Sequence, residues 1–129
     1  MSQSVLIVDD DKLILMLFER MIKHIKPKII VDTYTNVEAA LAQLSNASIN
    51  PDVIFLDLNM PIINGWEFLN GYLELKEKLS LSSRIYILTS SIDKKDKVRA
   101  DAVNNVAGFL EKPVTLDKLT DILNNEFPE

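Results

Sequence analysis

The sequence predicts an α/β fold, a doubly wound sheet of five parallel strands with helices on both faces. Three observations carry that expectation. Short apolar runs alternate with segments whose apolar residues recur at helical spacing. The connections between them are short. Two of the apolar runs end in acid: VLIVDDD (Val5 to Asp11) and DVIFLDLNMP (Asp52 to Pro61). Alternation of this kind implies parallel strands and right-handed crossovers. The length fits one domain over residues 1–129.

The elements follow in order. Val5 to Val8 is a continuous apolar run, the pattern of a strand buried on both faces. Ile14, Leu17, Phe18, Met21, Ile22 and Ile25 recur at helical spacing. Asp11 is placed to cap that helix, and Pro27 stops it. Ile29 to Val31 is a second β-branched run, with Tyr34 close behind. Thr35-Asn36-Val37-Glu38 fits a capping box, leading into Val37, Ala40, Leu41 and Leu44. Asp52 starts the third strand, Val53 to Leu56. Asn64-Gly65 breaks the chain and opens a helix carrying Trp66, Phe68, Leu69, Tyr72, Leu73 and Leu75, with Trp66 expected to pack. Arg84 to Leu88 is the fourth strand. Asp93 opens a charged helix with Val98, Ala102 and Val103 as a thin apolar side. The Asp93-Lys-Lys-Asp-Lys run reads as a solvated face. Ala107 to Leu110 is the fifth strand, and Thr115 caps a last helix with Leu116, Leu119, Ile122 and Leu123 inward.

Composition excludes several functions. A net charge of −5 argues against a nucleic-acid partner. There are no cysteines, hence no disulfides or thiol ligands. No stretch approaches the roughly 20 apolar residues of a membrane span, and the N-terminus lacks the basic start of a signal peptide. The expectation is a soluble cytoplasmic domain with no membrane partner. With three glycines and no Gly-rich loop after the first strand, dinucleotide binding is poorly supported.

The polar residues converge once placed on this frame. Asp9 and Asp10 follow strand one, Asp57 ends strand three, Thr89 and Ser90 end strand four, and Lys112 follows strand five. All lie at carboxyl ends, the edge where open α/β sheets bind ligands. In a 2-1-3-4-5 order, strands one and three are neighbours, so the three aspartates meet. Grouping like charges at the ends of buried strands is costly. Carboxylates suit Mg²⁺, a lysine can neutralise a phosphoryl group, a threonine can donate to it, and an aspartate can become an aspartyl phosphate.

VLIVDDD, FLDLNMP, ILTSS and FLEKP together resemble the response-regulator receiver domain, the CheY-like family of flavodoxin-like (βα)5 proteins, over nearly the whole chain. The resemblance implies that Asp57 is the phosphoacceptor. It implies Mg²⁺ held by Asp10, Asp57 and the main-chain carbonyl of Asn59, with Asp9 acting through a water. Lys112 would hold the phosphoryl group, and pair with Asp57 in its absence. Thr89 would bond a phosphoryl oxygen and act with Phe109 as a switch of the face from strand four to helix five. Asn59 and Ser91 occupy the positions that tune phosphoryl lifetime, and Ser90 the position that sets access. The Lys112-Pro113 bond would be cis.

The implied donor is a sensor histidine kinase or a histidine phosphotransfer protein, and the implied output is binding to a downstream protein. The expectation is therefore a signalling phosphoacceptor in a two-component or phosphorelay pathway, with no output domain of its own, rather than an enzyme. Two other classes compete. A receiver-like binding module that is never phosphorylated would usually lack part of the acidic set or the lysine, and here every part is present. A Mg²⁺-dependent phosphohydrolase often places two aspartates two residues apart, but this chain has Asp57-Leu58-Asn59. Asp11 belongs to the helix rather than the site, and His24, the one histidine, is expected at the surface far from it.

Overall fold

The structure is a computed structural model that describes residues 3–60, 64–90 and 93–128. Ten elements alternate. They are β1 (Ser4–Val8), α1 (Lys12–Ile25), β2 (Ile30–Tyr34), α2 (Val37–Ser45), β3 (Val53–Asp57), α3 (Gly65–Leu79), β4 (Arg84–Thr89), α4 (Lys94–Asp101), β5 (Val106–Glu111) and α5 (Leu116–Glu126). The strands form one parallel sheet in the expected order, β2-β1-β3-β4-β5.

Each central strand points alternate side chains into two separate cores. On one face Val5 and Ile7 of β1, Phe55 of β3 and Leu88 of β4 pack against Leu15, Phe18 and Ile22 of α1 and Leu119 and Leu123 of α5. On the other, Leu6, Val8, Ile54, Leu56, Ile85 and Ile87 pack against α2, α3 and Ala100 of α4. Each fully buried side chain of this size contributes roughly 1.5–3 kcal/mol. This is why β1 and β3 read as unbroken apolar runs.

Local chemistry sets the helix starts. Asp11 accepts from the N–H groups of Leu13 and Ile14. Asn64 and Glu67 form a reciprocal capping box at α3. Asp93 and Thr115 cap α4 and α5. At α2 the cap is Asn36, which accepts from Ala39 N–H at 2.7 Å, and not Thr35. β2 runs on to Tyr34, so the helix begins one residue later than the capping-box reading placed it.

Three apolar faces also differ from expectation. Leu17 is 48% exposed, because α1 is apolar nearly all round near its start and turns Leu15 inward instead. Leu116 is exposed in the first turn of α5. α4 ends at Asp101 and buries Ala100 alone, leaving Val98 71% exposed. Residues two apart on a helix point about 200° from one another, so the face that buries Ala100 cannot also bury Val98.

At the amino-terminal edge, Asp52 accepts from Ser4 N–H, and Lys76, Asn105, Ser83 and Tyr72 form a hydrogen-bonded chain. Glu126 accepts from Arg84 and from the Tyr86 hydroxyl, tying the end of α5 to β4. His24 is exposed in the last turn of α1. Among the described residues, no helix is long and apolar enough to cross a membrane.

Two measurements check these packing arguments. A Cβ at Gly65 would lie 2.6 Å from the Asp57 carbonyl oxygen and 2.9 Å from Leu58 Cα, both backbone atoms. At Gly108 the nearest atoms are ring carbons of Tyr86 at 3.7 Å. Urea unfolding should show Gly65→Ala losing about 1–3 kcal/mol and Gly108→Ala changing by less than about 0.5 kcal/mol. Equal effects would contradict the close approach. Burial, and then the bond to Glu126, raise the Tyr86 pKa from 10.0 to about 12. A raised folded-state pKa means this stability is complete below pH 10 and is lost between pH 10 and about 12. The stability gap between wild type and Tyr86→Phe should close across that window.

Candidate functional site

The site forms where β1, β3, β4 and β5 end together. β1 and β3 are adjacent and in register from Val5–Val53 to Val8–Leu56, so Asp9 and Asp57 emerge side by side. Thr89 ends β4, and its carbonyl accepts from Lys112 N–H at 2.8 Å, fixing the segment after β5 against it. The Lys112-Pro113 peptide is cis.

Asp9 and Asp57 are buried, at 0% and 3% exposure, while Asp10 is exposed. One carboxylate oxygen from each of the three lies within 4.8 Å of the others. Asp9 accepts from Asp11 N–H at 2.9 Å, and Asp57 from Asn59 N–H at 3.1 Å. The Lys112 ammonium donates to Asp9 at 2.9 Å and sits 3.4 Å from Asp57. It therefore bridges two carboxylates and lies nearer Asp9, whereas the sequence reading paired it with Asp57 alone. The Asn59 side-chain amide donates to the Thr89 hydroxyl at 3.5 Å.

Burial is the largest influence on Asp57 and pushes its pKa up. Asn59 N–H opposes this, the Asp9 charge adds to it, Lys112 opposes it, and the net lies above the ordinary carboxylate value. Burial works against the Lys112 ammonium, but its hydrogen bond to Asp9 and the two carboxylate charges outweigh that and raise its pKa. Such a site has two buried carboxylates beside a cation, with a third, exposed carboxylate next to them. That donor set is all oxygen, which suits a hard divalent cation.

Other expected residues fall nearby. Thr89 is buried and Ser90 is exposed beside it. Phe109 is half-buried on β5, paired with Ile87 and packed against the core that holds α2 and α3. Ser91 lies outside the described residues, as does Pro61. Asp11 serves α1 through its side chain, yet its N–H also orients Asp9. That second role left no trace in the residue pattern. Gly65, which touches the main chain of Asp57, was legible only as a turn before a helix.

A family model, the response regulator receiver domain, matches residues 5–124. The nitrate/nitrite response regulator protein NarL of Escherichia coli is 32% identical over 121 residues, covering 94% of this chain and 53% of that protein. A protein-glutamate methylesterase/protein-glutamine glutaminase of Treponema denticola is 37% identical over 110 residues, 84% of this chain and 28% of that protein. The chain thus spans about half or less of the length of these curated relatives. Among solved structures, a two component response regulator from Cytophaga hutchinsonii superposes with a TM-score of 0.82 at 30% identity, covering 99% of this chain and 98% of that one. A response regulator receiver protein from Dyadobacter fermentans gives a TM-score of 0.80 at 32% identity, covering 99% and 100%.

Removing the ammonium tests the electrostatics directly. Lys112→Met leaves two buried carboxylates uncompensated and should cost about 3 kcal/mol in metal-free urea unfolding. Adding Asp57→Asn should return a large part of that loss, because it deletes one of the stranded charges. Additive losses in the double variant would show that Lys112 acts by packing alone.

Proposed function

This chain belongs to the response regulator receiver domain family, and on that premise we propose that Asp57 accepts a phosphoryl group from a phosphohistidine. The observation that carries the reading is the buried Asp57 carboxylate, 3.4 Å from the Lys112 ammonium and grouped with Asp9 and Asp10. The oxygen-only donor set fits Mg²⁺. Asp10, Asp57 and the main-chain carbonyl of Asn59 would hold it, with Asp9 acting through a water. When bound, Mg²⁺ supplies neutralising charge for phosphoryl transfer.

The remaining steps belong to this chain's own residues. An Asp57 carboxylate oxygen forms the new O–P bond as the N–P bond of the phosphohistidine breaks, and the imidazole nitrogen keeps the electron pair. Lys112 sits within reach of both Asp9 and Asp57, so it can follow the negative charge onto the phosphoryl oxygens. The Thr89 hydroxyl leaves Asn59 to donate to a phosphoryl oxygen. Phe109, half-buried on the adjacent strand β5, repacks and shifts the face from β4 to α5 toward a second, pre-existing arrangement. Attack by water on the acyl phosphate releases phosphate and restores Asp57. Asn59, and Ser91 by its place in the sequence two residues after Thr89, tune the rate of that reaction, and the small exposed Ser90 leaves access open.

The donor is a sensor histidine kinase or a histidine phosphotransfer protein. An apolar groove of about 350 Å³ beside Lys112, lined by Ile14, Leu17, Met21, Pro113 and Val114, gives a donor helix a surface next to the acceptor. Leu13 and Met16 of the same helix are also exposed, at 58% and 43%. The output is the binding of a downstream protein to the switched face.

Two experiments test the reading. Acetyl phosphate with Mg²⁺ should label the wild type once per chain, and Asp57→Asn should abolish that labelling. Full labelling of the variant would sink the assignment, and steady turnover of an external phosphate ester would mark a phosphohydrolase instead. Mg²⁺ at ten times its Kd should stabilise the fold by about 1.4 kcal/mol, an effect weakened in Asp10→Asn. An unchanged melting temperature at millimolar Mg²⁺ would argue against the metal site.

A further inference from the structure

α4 is held to the molecule by little. It buries one side chain, Ala100, whereas each other helix buries two or more. Val98 and its lysines face solvent. Yet among the described residues the helix has a specific tie to α3. The Arg99 guanidinium lies 4.1 Å from the centroid of the Trp66 ring, at the start of α3. A planar guanidinium over an indole face is attracted by the ring quadrupole.

Trp66 is itself in a telling place. It is half-buried and packs on the core that contains Ala100. The residue before it, Gly65, donates its N–H to the Leu58 carbonyl at 3.2 Å and approaches the Asp57 carbonyl so closely that a Cβ would clash. The main chain of Asp57, Gly65, Trp66, Arg99 and α4 therefore form a continuous series of touching groups. Gly65 thus sits against the main chain of Asp57 and Leu58, and it is followed directly by Trp66.

We propose that Arg99 is a positioning residue whose stack on Trp66 ties α4 to the segment carrying Asp57, so that the state of Asp57 is felt at α4 through this pair. That the tie exists is independent of function. That it transmits a signal rests on the reading of Asp57 as phosphoacceptor. Coupling of this kind has to be shown by measurement and not by proximity alone.

Amide hydrogen exchange on the full chain separates the two parts. In the absence of any ligand, α4 amides of Arg99→Gln should exchange at least threefold faster than in the wild type, with α5 unchanged. Trp66→Phe should loosen α4 in the same direction. Arg99→Lys keeps a cation for the ring without the guanidinium plane and should restore only part of the protection. Wild-type protection of α4 in Arg99→Gln would overturn the tie. Beryllofluoride with Mg²⁺ should then change α4 exchange and the emission of Trp66, the one tryptophan, in the wild type. In Arg99→Gln the α4 response should fall at least threefold while acetyl phosphate still labels Asp57. An undiminished α4 response in that variant would overturn transmission through the pair. Absence of labelling in the wild type would overturn the acceptor reading, and with it transmission. The tie would still be judged by the ligand-free exchange.

Discussion

The Lys112 ammonium lies between two carboxylates, 2.9 Å from Asp9 and 3.4 Å from Asp57, both almost fully removed from water. Stripping water from two like charges costs several kcal/mol for each ion. The lysine, with the N–H groups of Asp11 and Asn59, offsets that cost. The balance is incomplete, since the net effect on Asp57 still favours its proton. A buried carboxylate held in this condition gains from any further cation, and from any chemistry that moves its charge outward onto oxygens the lysine can reach.

The rest of the fold serves that arrangement. β1 and β3 must be neighbours for Asp9 and Asp57 to meet, and β4 must lie next to β5 for Lys112 to be fixed by the Thr89 carbonyl. Two cores, one on either side of the sheet, pack against these strands. The capping box at Asn64 and the close seat of Gly65 bring α3 down onto the Asp57 main chain. α4 is the exception. It is short and charged, and its position depends on the single buried Ala100 and on contacts such as that of Arg99 with Trp66. Local stability is low where buried apolar contacts are few, and mobile functional elements are drawn from such regions.

Much of this was legible in the residues. Apolar runs of four or five that end in acid specify both buried parallel strands and the edge where the chemistry gathers. Asp11, Asn64, Asp93 and Thr115 announce helix starts because a cap depends only on neighbours in sequence. Thr35 misled, because Thr35 and Asn36 both have cap chemistry and the length of β2 decides between them. Leu17, Val98 and Leu116 misled because helical spacing alone cannot show which side of an apolar or very short helix meets the sheet. The bridging of Lys112 to Asp9 was hidden, since it turns on differences of half an ångström. The Arg99–Trp66 stack was hidden too, since it joins residues far apart in sequence.

The account turns on Asp57 as the one carboxylate of the three that reacts. Brief treatment with acetyl phosphate and Mg²⁺, borohydride reduction of the acyl phosphate, and peptide mapping by mass spectrometry would locate the modified residue. Conversion of residue 57 alone to homoserine is the predicted result. Conversion at Asp9 or Asp10, or none at any of the three, would contradict it.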